Sequence, residues 1–323
     1  MAQPILARSD RRTLAMKAET VYGTDPFGGT VLAADIQQVS GITYDVGPQA
    51  MDVPFMGGFL GSLGSIPGAR MARCSFEQMA RGAGAAYSAS VKPSPDLPLR
   101  GVGMLPTLTT TGGAEKWVYT PRSSGFEAMT IYIMQENAPT IRFTGAFGDC
   151  SMVAQVGRPL ALRYNFIGIY TTELDTPTLV TKQFSPAPQW PQLLSAQFSW
   201  DSYVANFSQM SINLANALDV QEAPSNAAGI AGVFMGGRRP NGTWDPEQVT
   251  RSVYDFIAKW EASTTVAVVM NSNGAQYARW KFAAPKAQIR ARGIGARGQK
   301  ATYSVGFDLI PNVGDDELAI SFD

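Results

Sequence analysis

The 323-residue sequence predicts a mainly β fold with minor α, organised as two tandem β-sandwich or barrel units, each with a short helix. Three observations lead there. Short stretches alternate apolar and polar residues with period two, the pattern of half-buried antiparallel strands. Glycine (32) and proline (21) punctuate the chain into short elements. The pattern of the first half also returns in the second. With 45% hydrophobic and 16% charged residues, the chain can fill two ordinary cores and is too apolar for a disordered polypeptide.

The clearest strands are Met129–Met134 (MTIYIM) and Leu160–Phe166 (LALRYNF), rich in β-branched and aromatic residues. The best helix runs from about Pro246 to Ala262: Asp245 suits its N-cap, Pro246 its first position, and Gln248 completes a box-like start. Val249, Val253, Phe256, Ile257 and Trp260 then form one apolar stripe, predicted to cover a sheet. Thr176–Pro191 (TPTLVTKQFSPAPQWP) has neither periodicity and reads as an extended, proline-stiffened linker. It divides the chain into a first unit, residues 1–175 with an N-terminal arm, a linker, 176–191, and a second unit, 192–323.

The two units echo one another. Thr130–Met134 corresponds to Thr265–Val269, Arg142-Phe143 to Lys281-Phe282, and Leu160, Leu162, Tyr164 and Phe166 to Ala301, Tyr303, Val305 and Phe307. The offset drifts from 135 through 139 to 141 between these pairs, as loop insertions would make it. Each half thus offers a strand, a basic-aromatic strand, a middle strand (Cys150–Val156 or Ala287–Arg292), a glycine-containing turn and a closing strand. Any two antiparallel meanders share alternation, so the echo gives an expectation of a duplicated fold and not a proof.

Composition narrows the function classes. Lys plus Arg equals Asp plus Glu at 26 each, without the basic excess of a nucleic-acid binder. The chain has no histidine, the commonest general base near neutral pH and the commonest metal ligand. Cys74 and Cys150 are too distant for a metal knuckle or redox pair and read as small buried hydrophobes. No Ser, Cys or carboxylate sits in a recognisable nucleophile setting, so no catalytic, cofactor or metal site is expected. Gly293–Gly298 satisfies GxGxxG, but Lys300–Val305 reads as a strand where a dinucleotide site needs a helix. Arg290, Arg292, Arg297 and Lys300 around it are expected to face a neighbouring subunit or the outside. Asn206 and Asn241 match the glycosylation pattern but carry no weight without a secretory signal. The start, MAQPILARSDRR, has no apolar signal region, and no run approaches the ~18 apolar residues of a membrane span. Synthesis and assembly in a cytoplasm, without membrane insertion, are expected.

Leu14–Pro26 (LAMKAETVYGTDP) resembles the opening of the major tail tube proteins of tailed bacteriophages, where a run ending E-T-x-Y-G-T-D-P precedes the first strand. Further landmarks follow in order: the Gly/Ser-rich Gly57–Cys74, the strand Ser75-Phe76-Glu77, a Pro-flanked helix Asp96–Leu105, the strand end Tyr119-Thr-Pro121, the strand pair Met129–Phe143 and a turn Phe143-Thr-Gly-Ala146. The resemblance covers roughly residues 12–172, and Asp219–Asp245 has no match in it. It implies a siphophage-type structural subunit of a virion tail, assembled in the host bacterial cytoplasm. Such proteins resemble a β-sandwich with one helix, six copies closing a ring around a continuous barrel. Two such units per chain imply homotrimeric rings, stacked into a tube that conducts DNA during ejection.

The implied partners are further copies of the chain, the tape measure protein inside the lumen, the tail terminator and distal tail proteins, and viral DNA in transit without sequence-specific binding. The long glycine-rich segments Gly57–Gly68 and Ala227–Gly242 are candidate arms between rings. Within or beside them Gly57, Phe59, Leu60, Ile66, Arg70, Phe234, Met235, Arg238, Arg239 and Trp244 are candidate inter-ring or inter-subunit contacts. A lumen that lets DNA slide should be acidic or neutral, and Asp35, Asp45, Asp149, Glu173 and Asp308 are its candidate carboxylates. With no separate domain apparent after residue 311, a smooth non-contractile tube is expected. One alternative is a carbohydrate-binding or adhesin β-sandwich, with Trp190, Trp200, Trp244 and Trp280 as its aromatic platform. Another is the tube of a contractile tail or a secretion system.

Overall fold

A computed structural model describes residues 8–53, 63–111, 113–175, 179–186, 188–194 and 197–323. In chain order its strands begin with β1 (Arg8–Ala18), β2 (Ile36–Gln37), β3 (Ser40–Val53) and β4 (Leu63–Met79). After helix α1 (Asp96–Gly101) come β5 (Met104–Thr109), β6 (Lys116–Pro121), β7 (Met129–Glu136), β8 (Ile141–Gln155) and β9 (Ala161–Tyr170). The second half contains β10 (Phe198–Trp200), β11 (Gln209–Asn213), β12 (Asn216–Glu222), β13 (Ile230–Arg238) and β14 (Asn241–Trp244). Helix α2 (Phe256–Glu261), β15 (Thr265–Asn271), β16 (Trp280–Arg297), β17 (Lys300–Leu309) and β18 (Ala319–Phe322) complete it. The described chain is mainly β, with one large antiparallel sheet and two short helices.

Strand order repeats between the halves. In the first, β1, β7, β8, β9, β4 and β3 pair in that order. In the second, β10, β15, β16, β17, β14 and β11 pair in that order. The chain visits each set in the same sequence, with α1 or α2 between the hairpin and the three-stranded meander. Register agrees where the echo pairs Phe166 with Phe307: the first lies opposite Gly148, the second opposite Ile289. It moves the opening strand of the echo, however. Tyr132 opposes Arg142 and Asn271 opposes Lys281, an offset of 139 where the residue pattern suggests 135. A four-residue slip preserves period-two alternation, so the pattern alone could not detect it.

The halves are not identical. Hairpin β5–β6 belongs to the first alone, and β18 runs between β16 and β6, tying the chain's last strand into both halves. One apolar core contains Phe143, Tyr164 and Phe166 from the first half together with Trp200, Trp280 and Phe307 from the second.

Four local expectations are corrected. Of the helix over 246–262 only Phe256–Glu261 forms, capped by Asp255, whose side chain accepts from the Ala258 amide. Asp245 instead accepts from the Ser208 and Gln209 amides, and the backbone of 246–248 bonds to Asn206, Ala301 and Tyr303. Tertiary pairing therefore overrides local capping, and Val253 and Trp260 stay exposed. The helix over Asp96–Leu105 ends at Gly101, because β5 begins at Met104. Phe143-Thr-Gly-Ala146 lies inside β8, where Gly145 has a φ of +60° beside a register shift: a bulge, not a turn. The E-T-x-Y-G-T-D-P run follows the first strand instead of preceding it.

Candidate assembly surfaces

The most informative junction is where the halves meet. β9 takes one edge of β8; β7 takes the start of the other edge and β11 its end, with Ser151–Gln155 opposite Asn213–Gln209. The Val156 amide donates to Ser208 and the Leu214 amide to Cys150, each at 3.0 Å, extending the ladder at both ends. Cys150, Met152 and Ala154 thereby come opposite Leu214, Ile212 and Met210, and none of the six is more than 1% exposed. Beside the ladder, Asp149 accepts from the Asn216 amide at 3.0 Å, and the Asn216 side chain donates to Val102 and Gly148. Burial pushes the Asp149 carboxyl above its ordinary value, partly offset by the Asn216, Cys150 and Ala215 backbone amides.

Among the described strands two unpaired edges correspond to the two sides of this junction, while β2, β5, β10, β12 and β13 are also paired on one side only. Among the described strands β3 pairs only with β4. Among the described residues, 289–297 of β16 pair only with β17, because β15 ends opposite Gln288. Unpaired edges are templates for another strand. The second carries Ile294, 80% exposed.

The E-T-x-Y-G-T-D-P residues form a polar staple. Glu19 accepts from the Thr130 hydroxyl and the Gly145 and Gly23 amides. Asp25 accepts from the Phe27 amide, the Tyr132 hydroxyl and Arg142. The Tyr22 hydroxyl accepts from the Val233 amide at 2.7 Å and lies within reach of the Gly145 and Val233 carbonyls. A Cβ on Gly232 would stand 2.3 Å from that hydroxyl, so any larger residue there would displace the Tyr22 ring. The staple thus holds hairpin β12–β13 against the first half, where Val233 and Met235 pack with Phe126 and Phe147.

Of the residues expected at subunit contacts, Gly57, Phe59 and Leu60 lie outside the described residues. Ile66 is exposed, opposite the equally exposed Met51, and Phe234 is exposed on the facing hairpin. The Arg70 amide, just past the first candidate arm, donates to Ala228 of the second at 2.9 Å within one chain. Arg238 bridges to Asp315 and Glu317, and Arg239 to Asp308. Met235 is buried, and Trp244 is 2% exposed among Phe198, Trp200, Phe207 and Phe256. Trp200 and Trp280 are buried too, while Trp190 lies under the Arg81 guanidinium.

The charged residues singled out by sequence mostly find partners in the chain. Arg297 bridges to Asp245 and Glu247, Lys300 to Glu247, and Arg290 to Asp308. The Arg292 guanidinium lies over the Tyr303 ring. Asp35 accepts from the Leu32 amide, Glu173 from the Tyr170 hydroxyl, and Asp45 stands exposed on β3. GxGxxG is the end of β16 and its turn into β17, with Gly298 at a φ of +61°. Among the described residues no cluster of three His, Cys, Asp or Glu could hold a metal, and no helix is long and apolar enough to cross a membrane. Cys74 and Cys150 are free and buried. Sequence reading missed β18 and the open end of β16; the glycines of GIGAR gave no sign that Ile294 projects from a sheet edge.

No protein-family model matches the chain, and no curated protein matches it.

Proposed function

We propose that the chain is a structural subunit of a bacteriophage tail tube. Three copies form a ring of six similar β units, and stacked rings make the channel through which DNA passes. The observation that carries this reading is the repeated strand order, β1-β7-β8-β9-β4-β3 and β10-β15-β16-β17-β14-β11, joined through β8 and β11 into one sheet. Two units of the same order, already paired edge to edge, are two sixths of a closed ring. A heterologous contact that closes by rotation gives such a ring, and repetition along its axis gives a filament. The resemblance over residues 12–172 supports the tail assignment, and the staple explains what its signature residues do.

The balanced charge suits a conduit that must not hold its cargo, because each phosphate contact adds salt-sensitive affinity. The internal pairing of Arg290, Arg297 and Lys300 fits the same requirement. Against the carbohydrate-binding alternative stand Trp200, Trp244 and Trp280, all buried, which leaves Trp190 alone of the suspected platform. Negative-stain microscopy of purified protein, with mass measurement of the dispersed particles, tests the proposal. Rings of three chains, or tubes of such rings stacked, are expected; rings of six chains, or protein that stays monomeric at high concentration, would overturn it.

A further inference from the structure

The internal junction predicts the external one. We propose that the open edge of β3 in one copy pairs antiparallel with residues 293–297 of β16 in the next, repeating between chains the β11–β8 junction found within each. The occupant of both open edges is therefore a second copy of this chain. The inference rests on the self-assembly proposed above and specifies its contact.

The register follows from strand partners. Ser151, Met152 and Val153 oppose Arg163, Leu162 and Ala161 on β9. At the 141-residue offset fixed by Phe166 and Phe307, those become Ser304, Tyr303 and Thr302, which oppose Gly293, Ile294 and Gly295. On the other side, Asn213, Ile212 and Ser211 oppose Asn241, Gly242 and Thr243, which oppose Asp308, Phe307 and Gly306 on β17. Their first-half counterparts are Ile167, Phe166 and Asn165, which oppose Arg73, Cys74 and Ser75, and those oppose Asp45, Tyr44 and Thr43 on β3. An independent detail agrees with this correspondence: the Thr43 and Ser75 hydroxyls are hydrogen-bonded at 2.5 Å, and those of Ser211 and Thr243 at 2.9 Å. Pairing therefore sets Asp45 opposite Gly293, Tyr44 opposite Ile294 and Thr43 opposite Gly295.

Burial supports the match. Within the chain Met210, Ile212 and Leu214 cover Ala154, Met152 and Cys150, all buried. Their counterparts Ile42, Tyr44 and Val46 are only half-buried, and the counterpart of Met152 is Ile294, 80% exposed. On the β16 edge the seam would consist of Ile294 opposite Tyr44 and the exposed Ala296 opposite Ile42, while Arg292, opposite Val46, lies over the Tyr303 ring. Among the described residues the same backbone edges are free: β3 beyond β4, and residues 289–297 beyond β17.

The test is a disulfide between copies. Ser211–Val153 and Asn213–Ser151 are the non-hydrogen-bonded pairs of the internal ladder, since the bonds at 208–156 and 214–150 place the even residues in hydrogen-bonded pairs. Their counterparts have the closer Cα spacing, within disulfide reach. In the variant carrying Asp45→Cys and Gly293→Cys, a Cβ on Gly293 meets only ordinary contacts, 3.6 Å from Ser304, and the native Cys74 and Cys150 are buried. Oxidised particles should show a covalent ladder ending at the trimer under denaturing conditions. Asp45→Cys with Arg297→Cys, displaced by about 13 Å along the strand, should not. Ile294→Asp, at an exposed position, should leave the monomer's circular dichroism unchanged and raise the concentration needed for assembly roughly ten-fold or more. Tubes or rings that form without the 45–293 crosslink overturn this pairing and leave the tube function standing, as does an Ile294→Asp protein that assembles like the parent. A parent protein that never assembles overturns both.

Discussion

Replacing Trp244 by alanine probes both the core and its cooperativity. The indole stacks on Trp200 at 5.0 Å between ring centres and touches Phe198 at 5.3 Å, Phe207 at 6.0 Å and Phe256 at 6.1 Å. Truncating a buried aromatic to alanine costs about 3–5 kcal/mol, transfer and cavity together. The melting shift depends on how much of the chain unfolds with it. At about 2.1 cal/mol/K per residue, the whole chain has an unfolding entropy near 0.7 kcal/mol/K, and 4 kcal/mol lowers Tm by about 6 °C. A second unit of about 130 residues melting alone would drop by about 15 °C while the first stayed in place. The shared apolar core, the β8–β11 junction and β18 all join the halves, so one calorimetric peak moving by about 6 °C is expected. Trp260→Ala, on the exposed face of α2, should move it by less than about 1 °C. Refutation would be a Trp244→Ala shift as small as that of Trp260→Ala, or a peak that splits into a displaced and an undisplaced component.

Other perturbations have equally definite outcomes. Gly242→Ala places a Cβ 2.4 Å from the Phe307 ring and 2.6 Å from the Ser211 carbonyl, and should destabilise by about 1–3 kcal/mol or more in a denaturant titration; Gly237→Ala, with nothing within 4 Å, should be tolerated. Tyr22→Phe removes the hydroxyl that holds β13, and hydrogen exchange at the β12–β13 amides should accelerate, by a local cost of about 1–3 kcal/mol. Burial raises the Asp149 carboxyl, so folding favours its protonated form; that contribution is fully present below the unfolded value near 3.9 and is lost as pH rises through the raised folded value. Asp149→Asn should therefore melt higher than the parent at pH 7, the two converging toward pH 4. For Glu127, burial also acts upward but Arg100 and Arg122 outweigh it, leaving the carboxyl below its ordinary value. Its contribution is present above an unfolded value near 4.3 and is lost as pH falls through the depressed folded value, so Glu127→Gln should destabilise at pH 7, with the gap closing in acid.

Fold class was legible because alternation is a local property. MTIYIM lies in β7 and all of LALRYNF but Leu160 in β9, and the proline-rich segment, where described, has no regular strand or helix. What alternation cannot carry is register, and the first strand of the echo was misplaced by four residues for that reason. The helix over 246–262 failed because its N-cap carboxylate and first turn are engaged by β10–β11 and β17, contacts distant in sequence. The candidate site was legible only in outline. Glycine-rich segments were read as arms between rings, with no sign that Arg70 would bond Ala228 within one chain. Cys150–Val156 read as a middle strand, with no sign that Gln209–Asn213 would occupy the second edge of Ser151–Gln155. An open edge exists only relative to the strands that are paired, so Ile294 could be found only after the sheet was known.

The central claim, two similar units per chain in a ring of three, is tested most directly by a cryo-EM map of the assembled particle. Three chains per ring, with six similar β units around one barrel and β3 of each copy beside β16 of the next, is the predicted result. Six chains per ring, or units joined through faces other than these edges, would contradict it.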